Sequence, residues 1–240
     1  RLGFAALADR VASEAAALDA AATPTVAWAS ASASPADQLA SFLAILASHR
    51  TAAVGDPDWP EAVRDKVRAR MAQHLDAAAG IEEARASTPF YIGFTSGSTG
   101  VPKGFRRTHG SWTHSFEICV QSFGPATGTT VLVPGRLSHS LFLFGALLGL
   151  WTGAGMRLQR QFSAAAALDT LQRGLAGSLV AVPSQLLLML EHAQRHGLAP
   201  ITGTRLLMIS GAPWPRARTA ALRALFPAAR IVEFYGASET

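Results

Sequence analysis

The chain has 240 residues, 49% of them hydrophobic and 15% charged, which describes a soluble globular protein with core enough for one large domain or two small ones. Its formal net charge of +5 rests on 21 basic residues, 19 of them arginine, scattered among acids in runs such as EAVRDKVRAR (61–70), whereas a nucleic-acid binder concentrates charge in a patch or stripe. The single cysteine, Cys119, excludes an intrachain disulfide and reads as a small buried apolar residue.

Residues 1–22 carry an alanine-rich helical pattern with Phe4, Leu7, Val11 and Leu18 as a loose apolar stripe. A short strand is predicted at Thr25–Trp28. Ser34 then stands as an N-cap, with Pro35 at the first helical position, where its missing N–H costs nothing. A second strand is expected at Thr51–Val54, followed by the turn-rich GDPDWP (55–60) and a charged helix near 61–78.

From residue 90 the rhythm is regular. β-rich runs fall at 90–94, 129–133, 178–182, 205–210 and 230–235. Helical patterns occupy about 111–123, 140–151, 163–173, 184–195 and 215–225. Strands alternating with helices, several of them apolar on both faces, predict an α/β fold with a mostly parallel sheet covered by helices on both faces. The uncharged run SLFLFGALLGLWTGAGM (140–156) falls short of a membrane span and is broken by glycines, so a buried helix ending near Gly153 is expected, with Phe142, Phe144 and Trp151 either lining a pocket or, the favoured reading, filling the core. No charged segment followed by an apolar one opens the chain. A cytoplasmic protein is expected.

The segment that asks for a function is GFTSGSTGVPKGF (93–105), which places four glycines, four hydroxyl residues and one of only two lysines in thirteen positions. Glycines let backbone N–H groups turn toward an anion, hydroxyls add donors, and a lysine supplies a point charge. The combination reads as a phosphate cradle. It is not the Walker loop, which requires Gly-Lys-Ser/Thr, because Lys103 lies between Pro102 and Gly104.

TSGSTGVPKG (95–104) resembles the signature loop of the adenylate-forming superfamily, the acyl- and aryl-CoA synthetases, peptide-synthetase adenylation domains and luciferases. Thr108 and His109 continue it. VPGRLSHS (133–140), ISGAPW (209–214) and EFYGASET (233–240) resemble later motifs of the same superfamily in the same order, and bacterial acyl-CoA synthetases are the most similar members. The resemblance implies part of the large N-terminal domain of such an enzyme, with residues 1–85 a shortened α/β segment and 86–240 the nucleotide-binding subdomain.

It also implies roles. Thr95, Ser96, Gly97, Ser98, Thr99, Gly100, Lys103 and Gly104 would hold the β- and γ-phosphates of ATP. Tyr235 would stack on adenine beside Gly211 and Ala212, with Gly236 behind it. Ser238, where the family usually has threonine, would reach the α-phosphate, and Glu239 would bind Mg²⁺, a hard cation that takes carboxylate oxygen. His139 would position the carboxylic acid substrate, and coenzyme A would receive the acyl group. The expected catalytic set is Lys103, His139 and Glu239.

The ribose-binding aspartate, hinge and C-terminal domain with the adenylation lysine have no counterpart in these 240 residues, and neither Lys66 nor Lys103 replaces that lysine. Three readings therefore stand: part of an acid–CoA ligase, a truncated noncatalytic nucleotide- or acyl-binding module, and a basic interaction protein. His192 and His196, four apart in EHAQRH, lack the zinc-protease order and read as a helix end suited to the macrodipole. The acid and the oligomeric state are not legible in the sequence.

Overall fold

The structure, a computed structural model, describes residues 2–30, 34–74, 81, 83–95 and 100–236. They form two compact units, one built from the chain up to Thr113 with Leu137–His139, the other from His114–Arg136 and from Ser140 onward.

The first unit begins with α1 (Phe4–Ala20), β1 (Val26–Trp28) and α2 (Pro35–Ala47). Ser34 caps α2 as expected: its Oγ accepts from Asp37 N at 3.4 Å, and Pro35 opens the helix. β2 (Thr51–Ala53), α3 (Glu61–His74), β3 (Pro89–Thr95) and β4 (Lys103–Thr108) follow. The sheet order is β1-β2-β3-β4, the first three strands parallel and β4 antiparallel to β3.

Two interactions set this unit's frame. Arg50, only 3% exposed, donates to Thr23 O at 3.1 Å, Ser48 O at 2.9 Å and Asp19 Oδ1 at 2.5 Å, tying the end of α1 to the entry of β2. Tyr91 lies wholly inside, meeting Phe42, Phe105 and Trp112 edge-on at 6.2, 5.7 and 5.4 Å between ring centroids. Edge-to-face packing of this kind joins α2, β4 and the start of α4 (His109–Phe123) around one strand.

The second unit holds the rest of α4, then β5 (Val131–Val133), α5 (Ser140–Trp151), β6 (Met156–Leu158), α6 (Ala164–Gln172), β7 (Ser178–Ala181), α7 (Pro183–Arg195), β8 (Leu206–Ile209), α8 (Thr219–Leu225) and β9 (Arg230–Glu233). Its five strands run all parallel in the order β6-β5-β7-β8-β9. Period-two alternation sorts the strand side chains. Leu132, Leu179, Ala181, Leu207 and Ile209 form one core with α6, α7 and α8. On the other face α5 comes so close that ideal Cβ atoms at Gly145 and Gly149 would lie 2.6 Å from Val180 Cγ1 and 3.4 Å from Val131 Cγ2. Both faces are thus covered, which is why β5 and β8 are apolar throughout and β7 is apolar after Ser178.

The structure refines the sequence reading in four places. The parallel strands belong to two sheets. The glycine loop does not run straight into a helix, because β4 intervenes; its KGFRRT sequence has too little apolar alternation to announce a strand, and pairing with β3 supplies what propensity lacks. β6 is likewise too short to announce itself. Of the three aromatics expected in the core, Phe142 is buried but Trp151 is 49% exposed, its ring against Phe116 at the end of α5. α5 itself is apolar all round because it is buried, and among the described residues no helix is long and apolar enough to cross a membrane. Burial also pushes the Cys119 thiol up to about 11.

Candidate functional site

The glycine loop closes a hairpin. Its stems are β3 and β4, and the last pair of the ladder is Thr95 opposite Lys103, preceded by Phe94 opposite Gly104. Residues directly opposite in an antiparallel pair project to the same face, so the side chains of Thr95 and Lys103 leave the root of the loop on one face of the hairpin. Lys103 and Gly104 are exposed, and among the described residues Lys103 makes no ion pair. Gly100 has φ +76°, a left-handed conformation natural only to glycine. Ser96, Gly97, Ser98 and Thr99 lie outside the described residues.

Downstream, the Thr-His pair anchors the hairpin to α4. Thr108 Oγ1 accepts from Ser111 N at 3.3 Å, an N-cap bond, and Ser111 Oγ donates back to Thr108 O at 2.8 Å. His109 packs its ring against Phe90 at 5.2 Å, and burial lowers its pKa, favouring the neutral imidazole.

His139 is exposed and belongs to the same unit as the loop. It shares with Thr95, Gly100 and Pro102 the wall of a cavity of about 400 Å³. Trp59, Phe94 and Val63 line that cavity too, as does Ser138, whose Oγ is buried without a hydrogen-bond partner among the described residues. Trp59 meets Phe94 edge-on at 5.1 Å, and Phe94 stacks on Trp28 at 5.5 Å. Sequence reading passed over Trp59 and Ser138. The one available signal was GDPDWP, which leaves the carboxyl end of β2, next to the strand that feeds the loop.

The other proposed nucleotide contacts gather at the carboxyl edge of the second sheet. β8 and β9 pair in parallel with Ile209 opposite Glu233, so the segments that follow them emerge as neighbours. Gly211, with φ +89°, and Ala212 are exposed on one; Tyr235, 94% exposed, and Gly236 are on the other. Two bonds hold the pair of loops: Phe234 N donates to Ile209 O at 3.0 Å, and Trp214 N donates to Glu233 Oε1 at 2.8 Å. Ligands of open α/β sheets bind outside the carboxyl ends of the strands. Ser238 and Glu239 lie outside the described residues.

The His192 and His196 rings sit 4.3 Å apart at the end of α7. Among the described residues no three His, Cys, Asp or Glu side chains gather as a metal-holding group.

Fold and loop together define an α/β protein with a glycine-, hydroxyl- and lysine-bearing hairpin at the carboxyl end of β3, in a sheet whose first three strands are parallel. The chain belongs to the AMP-binding enzyme family, which it matches over residues 5–240. It is 39% identical over 151 residues to the acyl–CoA ligase YhfT of Bacillus subtilis, itself uncharacterized, covering 63% of this chain and 30% of that one. Against the putative long chain fatty acid–CoA ligase VraA of Staphylococcus epidermidis it is 31% identical over 149 residues, 62% of this chain and 32% of the other. Among solved structures it resembles the O-succinylbenzoate coenzyme A synthetase MenE of Bacillus subtilis in complex with AMP (TM-score 0.79, 18% identity) and ATP-bound MatB of Rhodopseudomonas palustris (TM-score 0.78, 20% identity). Each of these likenesses takes in 100% of this chain and 55% of the other, and at such identity shows the fold. The aligned region spans about a third of the length of these two curated relatives.

Proposed function

We propose that this chain forms the nucleotide- and acid-binding part of an acid–CoA ligase. The observation that carries the reading is the pairing of Thr95 with Lys103 at the root of the glycine loop, which puts a hydroxyl residue and a cationic one on the same face of the hairpin.

In the reaction, a carboxylate oxygen attacks the α-phosphorus of ATP, a new O–P bond forms, and pyrophosphate leaves. The sulfur of coenzyme A then attacks the acyl carbonyl, a thioester forms, and AMP leaves. Lys103, Thr95 and the loop residues Ser96, Gly97, Ser98, Thr99, Gly100 and Gly104 hold the β- and γ-phosphates, so that preorganised donors meet the charge that grows on the leaving pyrophosphate.

Tyr235, Gly236, Gly211 and Ala212 take the adenine at the β8–β9 edge, and Ser238 reaches the α-phosphate. Glu239 offers the carboxylate oxygen that Mg²⁺ takes, and the ion, when bound, neutralises phosphate charge. His139 orients the acid. The Staphylococcus relatives, named putative long chain fatty acid–CoA ligases, support an acyl acid as substrate.

The reading is tested by isothermal titration of MgATP into the 240-residue chain and into Lys103→Ala. Saturable binding weakened at least tenfold in the variant is expected, as for loss of a charge-assisted hydrogen bond worth about 1.5–3 kcal/mol. Binding that ignores the substitution removes the loop from the site. No binding by the folded chain refutes the assignment of a self-sufficient nucleotide site to these residues.

A further inference from the structure

The β8–β9 edge carries a contact that strand pairing does not require. The ladder between these strands ends with Ile209 opposite Glu233, and Phe234 N, donating to Ile209 O at 3.0 Å, closes it. Past that point, among the described residues, no backbone hydrogen bond joins the segment after β8 to the segment after β9. One side chain does. Glu233 Oε1 accepts from Trp214 N at 2.8 Å, across 19 residues of chain.

Glu233 is exposed in a chain with 21 basic residues, yet among the described residues it makes no ion pair. Its carboxylate accepts instead from an amide, a charge-assisted bond stronger than one between neutral groups. The residue that donates is fixed in two further ways. The Trp214 ring is buried in the core with Leu186, Met189 and Leu222, and its Nε1 donates to Thr219 Oγ1 at 3.0 Å.

Trp214 is therefore a pin at one end of the 211–213 arc. Gly211 sets the other end: it holds φ +89°, and an ideal Cβ there would lie 3.1 Å from Val182 Cγ1. Between these points the arc is exposed, and so is Tyr235, two residues beyond Glu233. A slot ordered before its ligand arrives binds more tightly, because the cost of ordering it does not fall on the binding step.

We propose that Glu233 is a positioning residue for the nucleotide, its carboxylate holding the 211–213 arc at the spacing from Tyr235 that admits a planar purine base. The acceptor oxygen and the reach of the side chain do this, not the negative charge. The assignment deepens the ligase reading and rests on it for the adenine. No phosphate contact depends on the bond, so its loss falls on the base half of the nucleotide alone.

The test is calorimetric titration of MgATP and, separately, magnesium tripolyphosphate into the 240-residue chain and its variants. Glu233→Ala, which lacks the acceptor, and Glu233→Asp, one methylene short of Trp214 N, should each weaken MgATP at least tenfold. Glu233→Gln keeps an acceptor oxygen at the same reach and should stay within about threefold of the parent. Tripolyphosphate binding should be unchanged in all three, whereas Lys103→Ala weakens both ligands. Hydrogen exchange at Trp214 N–H, read without ligand, should quicken at least tenfold in Glu233→Ala and return toward the parent rate in Glu233→Gln. Circular dichroism shows whether Glu233→Ala is folded; if it is not, Glu233→Asp and Glu233→Gln decide.

MgATP affinity unchanged in Glu233→Ala overturns the proposal, even where exchange at Trp214 quickens. Equal loss of MgATP and tripolyphosphate overturns it too, since a general loosening of the fold would do that, and so does a Glu233→Gln chain as weak as Glu233→Ala. Lys103-dependent MgATP binding that ignores Glu233 leaves the ligase reading standing without this residue. MgATP binding that follows Glu233 as stated but ignores Lys103 does the reverse, and a folded parent that binds neither ligand overturns both.

Discussion

Gly149, in the last turn of α5, offers a measurement in which two terms of opposite sign compete. Alanine is the better helix former by about 1 kcal/mol, so Gly149→Ala would stabilise a free helix. Here an ideal Cβ would stand 2.5 Å from Gly155 O and 3.1 Å from its carbonyl carbon, against a normal carbon–oxygen approach of about 3.3 Å. The obstacle is backbone and cannot swing aside. Gly155 is anchored there by its own N–H, which donates to Gly149 O at 2.8 Å, and it holds φ +77°. Relieving the overlap means moving α5 or the turn into β6, at an overpacking cost of about 1–3 kcal/mol, and stretching a hydrogen bond worth about 1 kcal/mol. The expected balance is destabilisation by about 1–3 kcal/mol, a fall in Tm of roughly 2–12 °C for a chain this size. Urea unfolding followed by circular dichroism reads it. Gly203→Ala is the control, because nothing lies within 4 Å of its Cβ position, and it should be stabilising by about 0.4–1 kcal/mol. A Gly149→Ala chain as stable as the parent, or more so, would show that propensity wins and that α5 is not held against β6 as described.

Arg50→Ala should cost about 2–4 kcal/mol, since it leaves the Thr23 and Ser48 carbonyls without their donor, whereas Asp19→Asn, at a carboxylate 60% exposed, should cost under about 1 kcal/mol; equal effects in urea unfolding would show that the ion pair and not the buried hydrogen bonds matters. His109 adds a pH dependence whose sign follows from burial. Its folded pKa is lowered below 6.5, so the unfolded chain binds more protons below that pH, and stability should fall as pH drops through 6.5 toward the folded value. His109→Phe should flatten that part of the profile, and an unchanged slope would assign it to other groups.

The α/β alternation was legible because helix and strand periods differ, and strands buried on both faces read as continuous apolar runs. The Ser34 cap and Pro35 were legible because capping is local chemistry, complete within four residues. The glycine loop was legible because its composition has few structural uses. β4 was not, since KGFRRT is a strand only by virtue of β3 beside it. Nor was Trp151, whose exposure depends on where α5 ends relative to its neighbours and not on its hydrophobicity.

What the sequence determined by itself, then, is local and compositional: the caps, the order of elements, the phosphate-type loop and the family those motifs resemble. Tertiary structure decided the rest. Strand register placed Thr95 opposite Lys103, parallel pairing of β8 with β9 brought Gly211 and Tyr235 to one sheet edge, and chain return set Ser138 and His139 against Trp59 and Phe94 around one cavity. Such neighbours are separated by up to tens of residues, and only long-range pairing, which no local propensity encodes, puts them together.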